Sequence, residues 1–222
     1  MLTLPISIDW WIGELRRHGA SEVDQYEAKL RSFRGNDQKI FELIAEARAA
    51  LLFLKNGLDV TMQDRPDLRL GLNGETIYAE VKHYNEKATD RRDAAAMTAA
   101  PFEFIQVGSV IDDEGKHGWQ QMCSTAIKKE PQYASGFPNI LVFVNHSDAL
   151  DLHLRSAVNE FDDNVLKAGA ASPLRKLGGM MILKTHQSVG WHAANVEFCY
   201  TSYALHPPNR YFVQVMRLGQ LA

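Results

Sequence analysis

Apolar and polar residues alternate with a period of two on both sides of Asn73-Gly74. Leu68, Leu70 and Leu72 precede the pair and Ile77, Ala79 and Val81 follow it, so each run presents one apolar face. Asn-Gly between two such runs predicts a β-hairpin closed by a type I′ turn, because both central residues tolerate positive φ. A two-residue loop sets the register: Leu72 opposite Glu75, Leu70 opposite Ile77, Leu68 opposite Ala79 and Asp67 opposite Glu80. The face away from Leu68 and Ala79 then carries Asp67, Arg69, Thr76, Tyr78, Glu80 and Lys82.

Before the hairpin, apolar positions recur at helical spacing through Ile40, Leu43, Ala47, Ala50, Leu51 and Leu54. This predicts a helix opened by a capping side chain at Asn36 or Asp37 and closed by Gly57. Glu42 and Glu46 lie on a second stripe of it that continues through Ala49, Ala50 and Phe53, placing Glu46 in a largely apolar neighbourhood. Leu58 to Gln63 reads as a first strand. Residues 1–35, with the apolar knot Trp10, Trp11, Ile12 and Leu15 and then Tyr26, Leu30 and Phe33 at helical spacing, read as an N-terminal helical appendage to an α/β domain over 36–222. The tryptophans pack on that domain or on a second copy of the chain, a homodimer, or else stack on bases.

Beyond the hairpin, 84–100 reads as a charged loop that becomes a helix, and Phe104 to Val107 as a short strand. A helix from about Lys116 to Glu130 is ended by Pro131. Ile140 to Val144 is a run of five apolar residues bounded by turn formers, the pattern of a strand buried on both faces. A helical crossover over 148–169 leads to strands over 178–185, 196–203 and, after His206-Pro207-Pro208-Asn209, 211–218; Gly178-Gly179 reads as loop. The order of elements implies an α/β fold with a central mixed β-sheet flanked by helices.

Opposed carboxylates destabilise a ladder unless something positive neutralises them, and a bound cation reverses the sign. Asp64 and Asp67 are both candidates for a first acidic ligand, but only Asp67 has an acid across the hairpin. Lys82, two residues past Glu80, projects from the same face.

Pro66-Asp67 followed across a hairpin by Glu80-Val81-Lys82 resembles the PD-(D/E)XK nuclease superfamily. The resemblance covers 40–83 and, beyond it, only the order of elements. It implies a restriction-endonuclease-like fold and a DNA endonuclease in which Asp67, Glu80 and the carbonyl of Val81 hold Mg²⁺, with Mn²⁺ as a substitute. It further implies that a glutamate on the preceding helix completes the set; Glu46, about three turns before Gly57, fits better than Glu42. Lys82 would orient the attacking water. Gln121 and Lys128 fall where some relatives touch DNA.

The formal net charge of -3 argues against a protein that coats polyanions in general, but leaves room for a local groove built from Arg91-Arg92, Lys128-Lys129, Arg175-Lys176 or Arg210. Solvated surface is the simpler reading of each pair. Two cysteines, Cys123 and Cys199, exclude a four-cysteine iron–sulfur cluster, and the histidines follow no zinc spacing. Without a signal-peptide pattern or a run of ~18 apolar residues, the sequence implies no membrane partner and a cytoplasmic location. Two other readings compete: a catalytically silent copy of the fold that binds nucleic acid or protein, and a structural hairpin with no site.

Overall fold

A computed structural model describes residues 7–84, 117–145, 153–185 and 194–218. Helices α1 (Ile8–Arg17), α2 (Val23–Ser32) and α3 (Asp37–Lys55) precede strands β1 (Asp59–Met62), β2 (Leu68–Leu72) and β3 (Glu75–Tyr84). Then come α4 (Gly118–Lys128), β4 (Asn139–Asn145), α5 (Leu154–Ala168), β5 (Leu177–Thr185), β6 (Ala194–Tyr200) and α6 (Arg210–Leu218). The six strands form one sheet in sequence order. Pairs β1–β2, β2–β3 and β5–β6 are antiparallel, while β3–β4 and β4–β5 are parallel. The protein is therefore α/β, with a mixed sheet between helical layers.

The hairpin has the register its turn dictates, with Leu72 paired to Glu75, Leu70 to Ile77 and Leu68 to Ala79. Asn73 at φ 50° and Gly74 at φ 82° supply the two positive values that a type I′ turn needs. Leu68, Leu70, Ile77, Ala79 and Val81 face a core shared with α3, which Ile140, Val142 and Val144 of β4 also line. On the opposite face, Leu141 and Phe143 join Met122 and Ala126 of α4 and Val158 and Phe161 of α5. Every residue of β4 is buried, as its unbroken apolar run requires.

Asn36 caps α3 by accepting the Lys39 N–H at 3.1 Å. The first two helices lie on the α3 core: Trp11, Ile12, Leu15, Tyr26 and Leu30 are all buried there, and Ser21 bridges to Thr61 of β1.

Two readings of the C-terminal part change. Residues 210–218 form a helix, not a strand. Asn209 caps it by accepting the Phe212 N–H at 2.9 Å, and Phe212, Val213 and Met216 fall on one helical face against the core. Gly178-Gly179 lies within β5, as the strand expected over 178–185 requires and the loop reading of the pair does not. A Cβ on Gly179 would stand 2.4 Å from the Phe198 ring and one on Gly178 2.7 Å from Pro208, so the pair allows β6 and the following turn to close on the strand. The strand expected at 104–107 and the loop and helix expected over 85–100 lie outside the described residues.

Candidate functional site

Asp67 immediately precedes β2 and is tied to β3 by its side chain: Oδ2 accepts the Val81 N–H at 2.7 Å. Its carbonyl accepts the Gln63 N–H at 2.8 Å, which fixes the approach from β1. Glu80 stands on β3, one residue past the last hairpin pair, and pairs with Leu141 in the parallel direction. Strand alternation turns Glu80 toward the α4–α5 face, whereas Glu46 comes from the middle of α3 on the other side. All three acids are buried, at 8%, 8% and 2% exposure for Glu46, Asp67 and Glu80.

Their charges reach one another. Burial and then the charge of Asp67 raise Glu46 from an ordinary 4.5 to about 9, with Glu80 adding to the rise. Asp67 is raised from 3.8 to about 7 by burial and then by Glu80, against the Val81 N–H and two lysines, which favour its ionised form. Glu42, the competing helix acid, instead pairs with Lys39 at 2.6 Å along the helix surface.

The two lysines are Lys129 and Lys29, neither of which the sequence motif contains. Lys129, the first residue past α4, donates to Glu80 Oε1 from a point 49 residues further along the chain. Lys29 of α2 lies 3.8 Å from Glu46 Oε2 and 3.3 Å from Asp64 Oδ1. Asp64 thus takes part only as an exposed partner of Lys29. Lys82 shares the face of Glu80 and is half-buried, but it forms no ion pair with either acid among the described residues. The neighbouring His83 lies on the α3 side, stacked on Phe41 with ring centroids 6.2 Å apart. Lys128 is exposed and Gln121 half-buried on α4. Of the residues singled out in the sequence, Asp67, Glu80 and Glu46 are thus brought into one electrostatic cluster, with Lys82 on its strand beside them.

Among the described residues, Glu46 Oε2 and Glu80 Oε2 are buried and accept no hydrogen bond, although a buried polar oxygen normally has a partner. A bound cation would favour the ionised forms of Glu46 and Asp67 that burial and mutual repulsion oppose, and the donors are the hard oxygens that suit Mg²⁺ or Mn²⁺. The donor chemistry fits such an ion. As the side chains stand, each acid is turned to its own partner, and among the described residues no three His, Cys, Asp or Glu side chains are gathered closely enough to hold a metal ion.

Comparison with protein-family models, with curated proteins and with solved structures finds no match for this chain. No described helix is long and apolar enough to cross a membrane.

Proposed function

We propose that this chain is a metal-dependent phosphodiesterase, a DNA endonuclease of the PD-(D/E)XK kind with a restriction-endonuclease-like fold. The observation that carries the reading is the buried cluster of Asp67, Glu80 and Glu46 around a β-hairpin, with carboxylate oxygens of Glu46 and Glu80 that no donor among the described residues satisfies. Asp67, Glu80 and the Val81 carbonyl would hold Mg²⁺, with Glu46 completing the set. When bound, such an ion lowers the pKa of a coordinated water and polarises the scissile phosphate.

The chain's own residues supply the remainder. The Val81 N–H holds one oxygen of Asp67 and fixes the carboxylate against β3. Lys82 orients the attacking water and offsets the charge that develops on the phosphorane. Burial by α3 and the hairpin strengthens each of these interactions by excluding water.

One observation favours the competing reading of a silent interaction module: Lys129 already neutralises Glu80, as a copy without metal would require. Purified protein incubated with duplex, branched and single-stranded DNA and with RNA, in Mg²⁺, in Mn²⁺ and in chelator, separates the two. The nuclease reading expects cleavage of at least one DNA form that chelator abolishes; binding without cleavage under every condition would favour the module.

A further inference from the structure

Lys129 touches the most deeply buried acid of the site while its own side chain keeps 24% of its surface in solvent. Its ammonium donates both to Glu80 Oε1 and, at 3.0 Å, to Gln132 Oε1. The backbone sets this position: the Lys129 N–H closes α4 on the Thr125 carbonyl at 3.0 Å, and the short 3-10 turn Glu130–Gln132 brings Gln132 back beneath the same ammonium. A cation at a helix C-terminus is also favoured by the helix dipole. Lys129 therefore bridges a buried acceptor and a second acceptor on its own turn.

An ammonium on Oε1 and a divalent ion drawn to the unpartnered Oε2 compete for the charge of one carboxylate, and an ion that takes both oxygens displaces the charge-assisted hydrogen bond. Lys129 can give up Glu80 and still hold Gln132, with solvent within reach. Lys29 differs, since it lies beyond hydrogen-bond distance of Glu46 and shares its charge with exposed Asp64. Resting on the metal-dependent reading above, we propose that Lys129 is a positioning residue that occupies Glu80 in the metal-free protein and yields it to the divalent ion. The metal affinity of the site is then set by this exchange as well as by its oxygen ligands.

Calorimetric titration of Mn²⁺ into wild type, Lys129→Met, Lys129→Gln and Lys128→Met tests it. Removing the competitor should tighten Mn²⁺ binding roughly ten-fold or more in both Lys129 variants, the scale of one charge-assisted hydrogen bond. Lys128→Met removes the same charge from the exposed neighbouring residue and should stay within about two-fold of wild type, as screened surface charges do. Equal or weaker binding in a folded Lys129 variant, beside a wild type that binds, would overturn the exchange and leave the metal site standing. Absence of binding in all four proteins would overturn both.

Discussion

Glu46→Gln separates the charge of a buried acid from its shape. Burial and the charge of Asp67 hold Glu46 at about 9, so without metal the folded chain keeps a proton near pH 7 that the unfolded chain, ordinary at 4.5, has released. A folded pKa above the unfolded one stabilises fully below about pH 4.5, and that contribution drains away as pH rises through about 9. At about 1.4 kcal/mol per pH unit, retaining the proton up to pH 7 costs roughly 3 kcal/mol. Because the neighbouring acids titrate together, the amide should recover part of this, roughly 1–3 kcal/mol. For a chain of 222 residues that corresponds to a melting temperature higher by roughly 2–10 °C. Thermal melts in chelator from pH 4.5 to 8.5 measure it: the variant should match wild type at the acid end and exceed it increasingly toward the alkaline end. A difference that stays constant with pH, or a wild type more stable than the variant at pH 8, would refute the buried-charge reasoning.

Glu80→Gln removes the charge that, after burial, does most to raise Asp67, so the Asp67 carboxyl should titrate below about 7 in a ¹³C NMR experiment; an unmoved midpoint would contradict their proximity. Lys82→Ala should abolish cleavage while leaving chelator melts within ~0.5 kcal/mol of wild type, since this half-buried lysine neutralises neither acid. Gly179→Ala forces a Cβ to within 2.4 Å of the Phe198 ring, and urea unfolding should register a loss of about 1–3 kcal/mol.

What the sequence revealed divides by range of interaction. The hairpin register follows from a two-residue turn and strict alternation, both local, and it appears in the sheet from Leu72–Glu75 to Leu68–Ala79; Asp67 lies just beyond the ladder and meets β3 through its side chain. The buried strand β4 and the capped helix α3 are legible for the same reason. The segment 210–218 is not: Tyr-Phe-Val-Gln-Val-Met satisfies a strand pattern and a helical one, and the Asn209 cap together with contact with the distant core selects the helix. Lys129 reads in the sequence only as half of a basic pair and Lys29 not at all, because pairing with Glu80 or Glu46 depends on how α4 and α2 meet the hairpin across long stretches of chain. A signal did exist in the excess of buried acids, which demands counter-cations from somewhere. Lys82 was the nearest candidate in sequence, yet the neutralising role belongs to the two lysines that tertiary packing delivers.

The central claim is that the acid cluster cuts phosphodiesters, and the most direct measurement compares Asp67→Asn with wild type on supercoiled plasmid in Mn²⁺. Asparagine keeps an oxygen for the Val81 N–H, so the fold and the hairpin tie are preserved while the ligand charge is lost. Wild type should nick or linearise the plasmid, and chelator should stop it. Asp67→Asn, folded by circular dichroism, should be slower by roughly a hundred-fold or more, equivalent to about 3 kcal/mol of transition-state stabilisation. Equal cleavage by the two proteins, or cleavage by wild type that persists in chelator, would contradict the central claim.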